Sequence, residues 1–85
     1  PSVCVVVSSA GYPDAPRVGD PIAGVEEAEA TGAAVFHSGT RLGNGAIETA
    51  GGRVLGVTAR GHDLPTAIRN ADTAVSHISF DGMHY

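Results

Sequence analysis

Lysine and tryptophan are missing from this 85-residue sequence, and cysteine occurs once. Each shortage removes a class of function. Five arginines stand against nine carboxylates for a formal charge of −4, so the basic footprint of a nucleic-acid binder is absent. Without lysine the G-x-x-x-x-G-K-[ST] loop that cradles nucleotide phosphates cannot be built. A single thiol excludes an internal disulfide. Cys4 sits inside the apolar run VCVVV and is expected as a small buried core residue rather than a reactive thiol. No apolar run approaches the roughly 20 residues that span a bilayer, and no charged-then-apolar leader opens the chain. The expectation is a soluble cytoplasmic domain with neither nucleic acid nor membrane as partner. A chain this short buries only roughly 60–65% of the surface that its unfolded form exposes. That suffices for one layer of sheet and one or two helices.

What is present divides cleanly. Val3 to Val7 is a continuous apolar run, which predicts a strand covered on both faces. The prolines and aspartates of DAPRVGDP predict a loop. Ile22, Val25 and Ala28 have helical spacing among glutamates, so a short helix is expected there, ended by Gly32. AAVFH, ending at His37, reads as a second strand. SGTRLGNG, residues 38 to 45, reads as a glycine-rich loop with its turn at Gly43-Asn44-Gly45. Ala46 to Thr49 and Arg53 to Arg60 flank Ala50-Gly51-Gly52, a hairpin signal. Along the second arm Leu55, Val57 and Ala59 point one way and Val54, Gly56 and Thr58 the other. Gly56 leaves room for something to pack closely on its face.

Leu64, Ala67, Ile68, Ala71, Val75 and Ile78 form an apolar stripe at helical spacing. Asp63 is its N-cap and Pro65 fits the first turn. The stripe is expected to pack on the sheet, so that a charge at Ile68 unfolds the domain. The fold class is therefore α+β, a small mostly antiparallel sheet with one or two helices packed on it.

Two places carry candidate chemistry. His37 closes a strand and opens a loop holding Ser38, Gly39, Thr40 and Arg41, where glycines let backbone amides approach a ligand. A strand-end histidine with an ordinary surface loop explains the same residues, and residue chemistry alone favours that plainer reading. In TAGGRVLGVTARG a glycine pair precedes Arg53. Successive amides of a tight turn form an anion-binding concavity, and a guanidinium beside them supplies a forked donor set that matches phosphate. A surface arginine after a turn fits equally well. His37, His62, His77 and His84 lack metal-ligand spacing, and His77, late in the last helix, suits a surface position. No metal site and no catalytic residue is assigned.

Taken in order, SSAGYPDAPRVGDPI, VFHSGT, TAGGRVLGVTARG and AIRNADTAVSHISFDGMHY resemble the C-terminal domain of the glycinamide ribonucleotide synthetases. These are the phosphoribosylamine–glycine ligases of the ATP-grasp superfamily. The resemblance covers nearly the whole chain. Serine stands at position 38 where that family has alanine, and Asp72 where it has tyrosine. The family's tail of arginine, aspartate and isoleucine beyond the position of Tyr85 is not in this sequence.

The resemblance implies that residues 1–85 are the C-terminal domain of a larger ATP-dependent ligase in purine biosynthesis, inactive alone. The domain resembles the C-terminal hybrid motif of ATP-grasp ligases. Its partners would be the preceding N-terminal and ATP-grasp domains of the same polypeptide, and it would help to close the active-site cleft. ATP and Mg²⁺ would serve the full enzyme, with no cofactor on this part. The small-molecule substrate in reach would be phosphoribosylamine, its phosphate bound by Arg53 and Gly52, with His37, Gly39 and Thr40 lining the cleft. Three rivals stand beside this reading: the terminal domain of another ATP-grasp ligase or carboxylase, a non-catalytic binding or interaction module, and a structural cap.

Overall fold

A computed structural model describes residues 1–9, 11, 18–43 and 45–85. Among these residues five strands and two helices follow in the order β1 (Ser2–Ser8), α1 (Val25–Ala30), β2 (Ala34–His37), β3 (Thr40–Gly43), β4 (Ala46–Thr49), β5 (Arg53–Arg60) and α2 (Leu64–Val75). β5 is the middle of a three-stranded antiparallel sheet, with β1 on one side and β2 on the other. β3 and β4 form a separate two-stranded sheet. The α+β class expected from the sequence is the one observed. Residues 14–17 of the expected loop, and Asn44 of the glycine turn, lie outside the described residues.

The hairpin expected between β4 and β5 does not form. Ala50-Gly51-Gly52 is instead a crossing between the two sheets. β4 turns back on β3, pairing Thr40 with Thr49 and Gly43 with Ala46, so half of the expected 38–45 loop is strand. The segment ahead of α1 completes this second sheet. Gly19 N donates to Thr49 O at 2.7 Å, Asp20 N donates to the buried Thr49 hydroxyl oxygen at 3.0 Å, and Ile22 N donates to Ile47 O at 2.9 Å. The physical reason for the split lies in β5. Val54, Leu55 and Val57 are fully buried, and such a strand belongs between two others. β4, with Ala46 exposed and Ile47 and Glu48 half-buried, does not ask for that burial.

One face of the large sheet is covered by helices. Val3, Val5 and Val7 on β1, Val35 on β2, and Leu55, Val57 and Ala59 on β5 share it, as their register requires. α2 packs across β1 and β5, and Ala28 of α1 joins the same core. Gly32, with φ +98, follows the end of α1 as expected, and Gly32 N caps Glu29 O at 3.0 Å. Full burial of a valine such as Val57 is worth roughly 1.5–3 kcal/mol.

No described element covers the other face of the sheet, which corrects the expected double coverage of VCVVV. Cys4 is exposed rather than buried, and Val6 is 48% exposed. Apolar residues in adjacent positions face opposite ways, and only one side of β1 has a helix to meet.

The stripe on α2 also needs correction. Asp63 does cap the helix, its Oδ1 accepting from Thr66 N at 2.8 Å. Hydrogen bonds from Thr66, the side chain first and then the amide, hold that carboxyl below the ordinary aspartate range. The buried face is small, however: Ala67, Ala71, Ala74 and Val75, continued by Ile78. Leu64 and Ile68 are 54% and 44% exposed. Ile68 lies about 100° around the helix from Ala67, on the flank of a helix whose alanines let it lie close to the sheet. His77 falls in the turn beyond the helix, not within it.

A charge should therefore be tolerated at Ile68 and not at Ala71. In the 85-residue chain Ile68→Asp is expected to change stability by no more than about 0.5 kcal/mol. Ala71→Asp should unfold it by burying an unpaired carboxylate. Thermal denaturation of both variants checks this, and equal losses would contradict the helix orientation.

Candidate functional site

Arg53 occupies its position because the strand slips there. Alternation along β5 places Leu55, Val57 and Ala59 on the helix side, so an unbroken strand would send Arg53 inward and Val54 outward. The register runs Val7 to Leu55 and then Ser8 to Arg53, passing over Val54. This is a β-bulge, which inserts one residue and inverts the facing of what precedes it. Val54 turns into the core at 0% exposure. Arg53 takes the place opposite Ser8, on the outer side, and is exposed.

The glycine pair is fixed from below. Buried Ser9 donates its hydroxyl toward Gly51 O at 3.0 Å and Gly52 O at 3.3 Å, and its amide donates to Gly52 O at 2.8 Å. In a trans peptide the N–H lies opposite the carbonyl. The Gly52 N–H therefore points away from Ser9.

Gly39 packs against this crossing from the other side. Its carbonyl accepts from Ala50 N at 2.7 Å, and the amides of Ser38 and Gly39 both donate to Val54 O, at 3.0 and 3.1 Å. A Cβ at Gly39 would overlap the Arg53 carbonyl oxygen and come within 3.2 Å of the Gly51 Cα. Gly39 thus holds the arginine's backbone in place.

On the outer face lies an open hollow of about 450 Å³, lined by Cys4 and Val6 of β1, Phe36 of β2 and Gly56 of β5. Val6, Gly56 and Phe36 stand in one register row. Arg53 and Ser38, at the strand ends, line it too. Among the described residues Arg53 forms no ion pair. Arg41 contrasts with it: its Nε lies 2.6 Å from Glu48 Oε1 across the small hairpin.

Of the residues singled out by sequence, Arg53 reaches the hollow. Gly52 lies beside it in the chain but not in its lining. His37 and Thr40 are tied to each other, Nδ1 to Oγ1 at 3.0 Å, at the adjoining end of β2 and start of β3, outside the lining. Ser38, from the loop after His37, and Gly56 line the hollow as well. Sequence reasoning missed Cys4, Val6 and Phe36, and the available signal was Gly56, a glycine midway along an apolar strand.

The arrangement suits one kind of ligand contact, an anion held by a guanidinium at the edge of an apolar surface. The sequence has no lysine, and no group of three or more potential metal ligands occurs among the described residues. No helix of the described chain is long and apolar enough to cross a membrane.

The family model described as "Phosphoribosylglycinamide synthetase, C domain" matches residues 2–85. The chain belongs to that family. Over 84 residues it is 57% identical to phosphoribosylamine–glycine ligase of Synechocystis sp., covering 99% of this chain and 20% of that protein. It is 44% identical to the human trifunctional purine biosynthetic protein adenosine-3, covering 99% of this chain and 8% of the relative. The crystal structure of phosphoribosylamine–glycine ligase from Thermotoga maritima superposes with a TM-score of 0.89 at 34% identity, over 99% of this chain and 20% of that one. The chain thus spans about a fifth of the length of the monofunctional ligases it matches. For a synthetase C domain, the antiparallel sheet with its two helices is the architecture that the structural match supports.

The two positions that flank Ser38 should respond differently to change. Gly39→Ala is expected to lower the thermal midpoint clearly, since backbone rather than a flexible side chain must move. His37→Ala, at an exposed position, should cost no more than about 0.5 kcal/mol. Denaturation of both variants checks this, and a tolerated Gly39→Ala would contradict the close approach.

Proposed function

We propose that this chain is the C-terminal domain of a cytosolic ATP-dependent ligase that joins glycine to 5-phosphoribosylamine in purine biosynthesis. Residues 1–85 are read as that single domain, and the ATP-grasp and N-terminal domains of the same polypeptide are its neighbours. The family match across residues 2–85 carries this reading. It also weighs against a carboxylase domain or a free-standing binding module.

Phosphorylation by ATP and Mg²⁺ turns the glycine carboxylate into an electrophile with a leaving group. That step belongs to the polypeptide outside these 85 residues, whose side chains do not fit it. This domain's part is to close the cleft and to hold the other substrate. The Arg53 guanidinium binds the ribose 5-phosphate, helped by the outward amide side of Gly52. His37, Gly39 and Thr40 shape the adjoining wall. The observation that favours Arg53 is its facing: a bulge turns it out of the core, with no carboxylate partner among the described residues.

Kinetics of the full-length enzyme test this. Arg53→Ala removes a charge-assisted pair worth roughly 1.5–3 kcal/mol. The KM for phosphoribosylamine should rise about ten- to a hundredfold, while KM for ATP and for glycine stays put. Arg53→Lys should restore part of the loss, because an ammonium lacks the planar fork. Arg41→Ala is the control, since that guanidinium is already committed to Glu48. An unchanged KM for phosphoribosylamine in a folded Arg53→Ala enzyme would overturn the assignment.

A further inference from the structure

The peptide that joins Gly51 to Gly52 turns its N–H away from Ser9, and the Ser9 hydroxyl decides that orientation. Ser9 is 0% exposed. Its hydroxyl reaches the Gly51 carbonyl oxygen at 3.0 Å and the Gly52 carbonyl oxygen at 3.3 Å. The two carbonyls do not depend on it equally. Gly52 O also accepts from the Ser9 amide at 2.8 Å. Among the described residues Gly51 O has no donor besides the hydroxyl.

The backbone on either side of this peptide is pinned. Ala50 N donates to Gly39 O at 2.7 Å, and Val54 O accepts from the amides of Ser38 and Gly39. The 51–52 peptide itself has a glycine at each end, so no Cβ resists rotation of its plane. Because N–H and C=O lie on opposite sides of a trans peptide, half a turn exchanges one for the other on the outer side. Beside Arg53 that exchange matters. An outward N–H donates to a phosphate oxygen, whereas an outward carbonyl oxygen repels it.

We infer that Ser9 is a positioning residue for the substrate. Its hydroxyl holds the Gly51 carbonyl inward, so that the Gly52 N–H and the Arg53 guanidinium face the same phosphate. The inference rests on the reading of Arg53 as the phosphate ligand. Ser9 lies beneath the glycines and acts only through their backbone. The bond it makes is set before any ligand arrives, so the donor is aimed in advance and binding need not order it.

Steady-state kinetics of the full-length enzyme carrying Ser9→Ala test this, with Arg53→Ala measured beside it. Ser9→Ala leaves Gly51 O without its donor and the peptide free to turn. The KM for phosphoribosylamine should rise about tenfold, the loss of one hydrogen bond to a charged group. The kcat at saturating phosphoribosylamine and the KM values for ATP and glycine should stay within about twofold of the parent, since only one ligand is bound less well. Ser9→Cys fills the same space with a weak donor. It should shift KM in the same direction, and it carries the test if Ser9→Ala does not fold.

A folded Ser9→Ala enzyme with the parent's KM for phosphoribosylamine, beside an Arg53→Ala enzyme whose KM has risen, overturns the inference and leaves the phosphate reading standing. A rise shared by all three substrates, or a fall in kcat of similar size, overturns it too, because a loosened fold does not single out one ligand. An unchanged KM in Arg53→Ala removes the phosphate reading, and the role of Ser9 falls with it.

Discussion

Everything in this small molecule depends on how β5 is paired. It is the central strand of the large sheet, contacted by both edge strands and by α2. Its helix-side residues supply much of the core. The single irregularity in that pairing, the extra residue at Val54, decides what the strand's first residue does. Without it an arginine would be driven among Val7, Leu55 and Val75, where an unpaired charge is not tolerated. With it a valine fills the core and the arginine faces out. The same slip adds stability and creates a candidate ligand contact.

The crossing that precedes β5 shows how closely the structural and functional demands overlap. Ser9, buried at the end of β1, holds the carbonyls of both glycines. Gly39, in the link between β2 and β3, lies against the same backbone. Change at either point would move Arg53 without touching its side chain. A loss of substrate binding in such a variant would therefore reflect positioning.

Much of the fold was legible in the residues. The strand at VCVVV, the short helix closed by Gly32, the strand before His37 and the helix capped by Asp63 all stand close to where periodicity and capping residues put them. Pairing was less legible. A turn signal such as Ala50-Gly51-Gly52 marks a change of direction but not which strand is met after it, and β5 was drawn to β1 and β2 by burial. Facing failed at three points. Cys4 looked buried because an apolar run says nothing about which of its two faces is covered within 85 residues. Ile68 looked central because apolar spacing does not distinguish a stripe's middle from its flank, and the alanines that make the close contact carry little hydrophobic signal. Val54 was placed on the face of Gly56 and Thr58, away from the core it fills, because a bulge leaves the sequence unchanged. Of the candidate site, Arg53 could be named from its glycines, whereas the hollow beside it required the register of three strands.

The bulge is the claim on which the facing of Arg53 and the composition of the core both rest. Equilibrium unfolding of the 85-residue chain carrying Val54→Asp measures it directly. With Val54 in the core, the aspartate is a buried unpaired charge, and the unfolding free energy should fall by several kcal/mol or the fold be lost. Arg53→Asp in the same chain should remain within about 1 kcal/mol of the parent. A Val54→Asp midpoint equal to that of the parent chain would mean that the strand alternates without a bulge and that Arg53 faces the core.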